Sequence, residues 1–414
     1  VHETNPVNGL VIDTTALHAP SSIAAVGLAL ASYPVGVERG FMSRADAVAR
    51  TLVTLRFFHG SRQGPEPDAT GYRGFYYHFL DMRTGARTWQ CELSTVDSAL
   101  LIAGMLAAAA YFQGDDDDEH EIRTRADALY ERADWAWALN GGLTLTHGWT
   151  PEGGFLPYRW EGYDEALILY VLALGSRTHP IGPESYAAWA STYEWRTIYD
   201  IPFLYAGPLF THQLSHLWID FRGVQDAFMR AHASDYFENT RRATLVQYEY
   251  ALRNPQAHVG YGASGWGITA TDGPGNVELD VNGVPRRFYG YIARGVPDGP
   301  DDGTIAPWGV ISSLPFAPEV VLPAMRLMQH GVPGAGHRYG FWRSYNPTFP
   351  DPSGSPIGWV SPHHCGLNQG PIVAMIENYR TEMVWRLMRS SRPIVDGLRA
   401  AGFAGGWLGP AAAP

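Results

Sequence analysis

The sequence predicts an all-α fold, a toroid of helical hairpins whose long loops and small β pieces gather at one mouth. Three observations predict it. Roughly ten to twelve segments carry helix-type apolar periodicity. Irregular stretches rich in Gly, Pro and aromatics separate many of them, and such loops collect at one end when helices pair as hairpins. No β-α-β alternation occurs and no Gly-x-Gly-x-x-Gly follows a strand, which argues against a dinucleotide fold. There is no regular repeat, so the chain is not a classical solenoid.

The elements follow in order. Residues 1–42 are Ala-, Ser- and Pro-rich and read as an extended lead-in. Residues 43–403 read as one domain and 404–414 as a flexible tail. Ser43-Arg44-Ala45-Asp46 is an N-cap with an acid three residues on, opening a helix to about Phe58. Residues 61–93 hold strand-like pieces such as Gly74–Leu80. Ser94-Thr95-Val96-Asp97 opens a second helix through Phe112. Asp115–Asp118 reads as a solvated turn favouring the next helix, Glu119–Leu139, whose Ile122, Ala126, Leu129 and Ala133 share a face. After a loop over 141–162, helices are predicted over 163–175, 184–195, 208–219, 222–232 and 233–252. Residues 255–315 form a long Gly/Pro/Asp-rich stretch, of a length usually found where loops are functional or carry small strands. Glu319–Gln329 and Gly370–Arg389 return to helix.

Composition narrows the function. The chain has 414 residues, 45% apolar and 17% charged, with net charge −11. All 30 cations are Arg, which reads as codon bias. The acidic balance argues against a nucleic-acid partner. The 14 Trp, 22 Tyr and 17 Phe fit both cores and sugar-stacking platforms. Cys91 and Cys365 are too few for a disulfide scaffold and fit no zinc spacing; paired and free states both stay open. The longest apolar run, Ala99–Phe112, is short of the ~20 residues of a membrane span. A start at Val1 suggests a removed leader. The expectation is a soluble periplasmic or secreted protein with no membrane insertion.

The densest chemistry runs from Trp160 to Asp226. Glu165 precedes nine apolar residues, Ala166–Leu174, so it must point along the helix axis or into a cavity. Burial raises a carboxyl pKa and suits a general acid. Asp235 and Glu238 lie on one helix face and form a second acidic site. His212, His216 and Asp220 follow one another at helical spacing, but His-Glu-x-x-His is absent, so hydrogen bonding is preferred over a metal site. Asp301-Asp302-Gly303 reads as a turn or a weak cation site. No Gly-x-Ser-x-Gly occurs, which disfavours serine hydrolase chemistry. Paired carboxylates at one cleft are what glycoside hydrolysis requires. Trp149, Trp160 and Trp218 are candidate stacking platforms. Glu92, Asp97, Arg73 and His212 are candidate hydroxyl binders, with Glu161, Asp164 and Asn368 as further substrate contacts. No organic cofactor and no metal are expected.

Six segments then carry a family resemblance: Gly162–Pro180, Pro208–Asp220, Asp235–Asn239, Gly265–Ala270, Pro300–Pro307 and Asn368–Arg380. In order and over about residues 45–390, they resemble the glucoamylase-like domain family, which includes the bacterial endo-β-1,2-glucanases of glycoside hydrolase family 144. The resemblance implies an (α/α)6 toroid and acid-catalysed hydrolysis of β-1,2-glucan or a close relative, with an oligo- or polysaccharide as partner. It implies Glu165 and Glu238 as the catalytic pair, with Glu238 as general acid. Two positions depart from the family pattern: Asp164 replaces Asn, and Asn368 stands where some members have Asp. If that Asp is the base elsewhere, another residue must serve here. The rival readings are a transglycosylase, a non-catalytic glycan-binding protein and, ranked low for its need of a cationic site, a polysaccharide lyase.

Overall fold

Serine hydroxyls open the first three helices. Ser22 accepts the Ala25 N–H at α1 (Ile23–Glu38), Ser43 the Asp46 N–H at α2 (Arg44–Gly60) and Ser94 the Asp97 N–H at α3 (Thr95–Tyr111). Each bond satisfies one of the amides a helix start leaves unpaired. The protein is described here by a computed structural model covering residues 3–331, 338–351 and 357–409. The acidic run behaves as expected: Asp116 caps α4 (Asp117–Glu131) by accepting the Glu119 N–H at 2.9 Å. The short α5 (Trp135–Ala138), α6 (Leu167–Leu174), α7 (Pro183–Ala190) and α8 (Ala227–Ala231) follow. Then come α9 (Tyr236–Arg253), α10 (Pro307–Ile311), α11 (Pro318–Gly331), α12 (Gly366–Thr381), α13 (Met383–Arg389) and α14 (Arg392–Ala400).

The core is built around α3. Apart from Asp97 its residues are uncharged, and it is buried from Thr95 to Ala108. Helices α1, α4, α6 and α13 pack on it, and α12 packs on α1. Helices α1 and α3 approach closely, so that a Cβ at Gly104 would overlap the Gly27 carbonyl and one at Gly27 would overlap the backbone of Leu100. Small residues there let the two backbones touch. This corrects the reading of residues 1–42 as an extended lead-in, because residues 23–38 form one of the most buried helices.

Other boundaries also differ from expectation. The segment 208–219 forms two 3₁₀ turns, Leu209–His212 and Ser215–Leu217. Its polar side chains bond to other elements instead of supporting a continuous helix. Gln213 donates to the Gly309 carbonyl at 2.7 Å, and the Ser215 hydroxyl accepts the Ile168 N–H at 3.0 Å. The helix expected over 184–195 ends at Ala190, and Trp195–Ile198 pairs with Ile201–Leu204 as a hairpin. The tail is tied down to Gly409: Ala404 bridges Gln225, and Trp407 Nε1 donates to the Asp220 carbonyl at 2.6 Å. Residues 410–414 lie outside the described residues.

Small sheets complete the helix-rich architecture. The largest has five antiparallel strands, Gly71–Tyr72, Phe75–Tyr77, Leu93–Ser94, Gly148–Thr150 and Gly154–Phe155. Its register sets Tyr77 opposite Leu93 and Leu93 opposite Trp149. One residue further on, the His78 N–H donates to the Glu92 carbonyl at 3.0 Å. The 255–315 stretch carries the hairpin Val277–Val281/Val284–Phe288 and is pinned by a fully buried ion pair, Arg294 Nε to Asp302 Oδ1 at 2.7 Å.

Candidate active site

Glu165 stands in a turn, not in the first turn of a helix as expected, because α6 begins only at Leu167. Asp164 Oδ1 accepts the Ala166 N–H at 2.8 Å and fixes that turn. The Glu165 carboxyl then faces a cavity of about 150 Å³ and touches solvent only partly. Burial, followed by the negative charges of Asp164 and Asp97, pushes its pKa up to about 8, against a small lowering by His78. At neutral pH this carboxyl keeps its proton.

The opposite wall comes from the five-stranded sheet and the start of α3. His78, on the edge after Tyr77, contacts Glu92 through Nδ1 at 2.9 Å and approaches Asp97 Oδ2 through Nε2 at 3.7 Å. Asp97 Oδ2 also accepts the Ser94 hydroxyl at 2.5 Å. Burial would lower the imidazole pKa, but Asp97, Glu92 and Asp13 outweigh it and raise the pKa to about 9. The donor atoms of His78, Glu92 and Asp97 lie within 4.8 Å of one another, the one grouping among the described residues that could hold a metal ion. An imidazolium between two carboxylates already balances part of that charge.

Arg343, Tyr291, Trp308 and Asn368 line the remaining walls with Phe210, Leu214 and Cys365. Arg343 pairs with Asp272 at 2.7 Å and keeps its Nε without a protein partner. Asn368 is buried and its Oδ1 likewise has none. A site with one protonated acid, a second carboxylate and open hydrogen-bonding groups can protonate a leaving oxygen and bind hydroxyls. A larger cavity of about 380 Å³ lies at the far end of α1, α3 and α12, but its buried acid, Glu377, is tied to Arg39 by two hydrogen bonds.

Residues 157–392 match the family model described as "Putative glucoamylase". The chain belongs to the glucoamylase-like family. A crystal structure from Bacteroides uniformis carrying the same description is 30% identical, with a TM-score of 0.85 over 98% of this chain and 94% of that one. An endo-beta-1,2-glucanase from Chitinophaga pinensis, solved with sophorotriose and glucose, is 26% identical with a TM-score of 0.83, covering 97% and 94%. The exo beta-1,2-glucooligosaccharide sophorohydrolase of Parabacteroides distasonis is 29% identical over 91% of this chain. The chain spans about half, 52%, of that curated relative's length.

Within this family member the structure separates the residues picked from sequence. Glu165, Asp97 and Asn368 meet at the cavity, and Glu92 stands behind His78. Glu238 does not join them. It pairs with Arg242 Nε at 2.9 Å, half exposed, and its N–H is capped by Asp235, so the general acid of the expected pair lies off the cavity wall. Trp218 is 1% exposed and cannot stack on a sugar. Trp160 is buried, stacked on His147, with Nε1 donating to Thr95 Oγ1 at 3.0 Å. Trp149 packs against Tyr72 and Trp137 away from the cavity lining. His212 is buried, with burial driving its pKa down to about 4, and it contacts the Ala206 carbonyl. Arg73 reaches Asp134 on the surface, and Glu161 accepts from the Thr144 hydroxyl. Asp164 holds the turn, with burial raising its pKa to about 7.

Asp301 is no open cation site. Its oxygens accept the Tyr250 and Tyr261 hydroxyls at 2.9 and 2.6 Å. Cys91 and Cys365 are both free and buried. Sequence reasoning missed His78, Arg343, Tyr291 and Trp308. Only the position of His78 at the end of an aromatic strand facing Glu92 could have signalled one of them, and that required the strand register.

Proposed function

We propose that this protein is a glycoside hydrolase cleaving a β-glucan, with β-1,2-glucan as its substrate, on an (α/α)6 toroidal scaffold. The linkage follows from the names of the Parabacteroides and Chitinophaga relatives. The observation that carries the chemistry is Glu165: a carboxyl held protonated up to about pH 8, aimed into a cavity that it shares with Asp97. Glu165 gives its proton to the glycosidic oxygen as the bond to the anomeric carbon breaks. Asp97 takes a proton from the attacking water, and the water oxygen bonds to that carbon. One acid and one base at a cleft is the requirement for glycoside hydrolysis. Asn368, an amide, cannot serve as base and instead offers its free oxygen to a sugar hydroxyl.

The test is incubation with linear β-1,2-glucan beside β-1,3-, β-1,4-, β-1,6- and α-linked glucans, with products separated by chromatography. Short β-1,2-linked oligosaccharides from that polymer alone are the expected result. Cleavage only of another linkage would overturn the substrate, and cleavage of none would overturn the activity. The Glu165→Gln variant must lose whatever cleavage is seen.

A further inference from the structure

His78 is the one cavity residue with a carboxylate on each side. Its Nδ1 is 2.9 Å from Glu92 Oε1, and its Nε2 is 3.7 Å from Asp97 Oδ2. The His78 backbone N–H is bonded to the Glu92 carbonyl, and its ring stacks on Phe79 at 4.0 Å, which favours this orientation of the ring. Asp97 is held from the other direction by the Ser94 hydroxyl on the same Oδ2, which leaves Oδ1 without a hydrogen bond from the described residues. Asp97 is also the third residue of α3, so its backbone is fixed by a helix buried on all sides. The cluster is therefore a chain, Glu92–His78–Asp97, ending at the cavity that Glu165 faces.

We propose that His78 is a positioning residue: hydrogen-bonded to Glu92 and within ion-pair range of Asp97 Oδ2, it attracts the oxygen that Ser94 also holds, so that the other is aimed at the water attacking the sugar. This rests on the hydrolase reading above. The titratable and charged groups around the ring are Asp13 from the N-terminal segment, Glu92 from the sheet, Asp97 from α3 and the protonated Glu165 on the same cavity, which Arg343 also lines. The same imidazolium lowers Glu165 slightly. A ring that merely filled space would require neither carboxylate.

The experiment compares wild type, His78→Gln and Glu92→Gln on β-1,2-glucan across pH, with histidine ¹⁵N NMR on the same proteins. His78→Gln is expected to lower kcat by about a hundredfold with KM within about twofold. It should also move the alkaline limb of the profile to higher pH, because Glu165 loses a nearby cation. Glu92→Gln keeps the ring and should move both in the same direction by less. In wild type the NMR should show a doubly protonated His78 ring near neutral pH, titrating lower in Asp97→Asn. A His78→Gln enzyme with unchanged kcat and limb overturns the proposal, as does a neutral His78 ring in wild type. Failure of wild type to cleave any glucan sinks the hydrolase reading instead, and the ring's two-sided hold is then decided by the NMR arm. Should His78→Gln not fold, Glu92→Gln and the wild-type spectrum carry the decision.

Discussion

Asp164 and Glu165 are neighbours in sequence with opposite assignments in space. Asp164 Oδ1 accepts the Ala166 N–H at 2.8 Å, while the Glu165 carboxyl has no hydrogen-bond partner among the described residues and faces the cavity. The first residue shapes the turn that presents the second. Removing that turn bond is expected to leave Glu165 intact but misplaced. Asp164→Ala should lower kcat by about tenfold to a hundredfold and stability by about 1 kcal/mol for the lost hydrogen bond, read by kinetics and urea unfolding. A kcat equal to wild type would show that the turn holds without this bond.

Glu165→Gln keeps the shape and hydrogen-bonding reach of the side chain but cannot give up a proton. Glucan cleavage should fall by about a hundredfold to ten-thousandfold, while calorimetric binding of β-1,2-oligosaccharides persists. Loss of binding with little loss of turnover would reverse the assignment.

Glu238→Gln should behave as a surface change. Its ion pair with Arg242 is a partly exposed i,i+4 helix pair, and such pairs contribute about 0.3–0.5 kcal/mol. Activity within about twofold of wild type is expected. A large loss of kcat would restore Glu238 to the catalytic machinery, against its position.

Stability should depend on pH through Glu165. Its carboxyl sits at about 8 when folded against a reference of 4.5. Between those values the folded state holds a proton that the unfolded chain has lost. The contribution is therefore complete below about 4.5, and falls as pH rises to about 8, with a slope of about 1.4 kcal/mol per pH unit. Asp164, raised to about 7, adds slope of the same sign. Urea midpoints across this range should decline in wild type and decline less in Glu165→Gln. Parallel curves would mean that Glu165 ionises as freely as an exposed acid.

Gly104→Ala should destabilise the protein by about 1–3 kcal/mol, because the added methyl meets the Gly27 carbonyl where α1 and α3 touch. Arg294→Met leaves Asp302 buried without its partner and should cost about 3–5 kcal/mol. Thermal melting checks both, and a neutral Gly104→Ala would require the two helices to separate without loss.

Much of this protein is local in origin and readable from sequence. Ser43 and Ser94 mark helix starts because a cap acts within one turn of its own residue. Glu165 stood out because an acid beside a wholly apolar run has few places to go. The tertiary structure alone decided the rest. His78 and Glu92 meet through strand register, and Asp97 and Glu165 meet across some seventy residues of chain. Trp218, His212 and Glu238 carried the right chemistry at the right spacing, yet two are core residues and one is a surface ion pair. Side-chain type and spacing set what a residue can do. Which cavity it faces is set by packing between distant elements, and no local pattern encodes that.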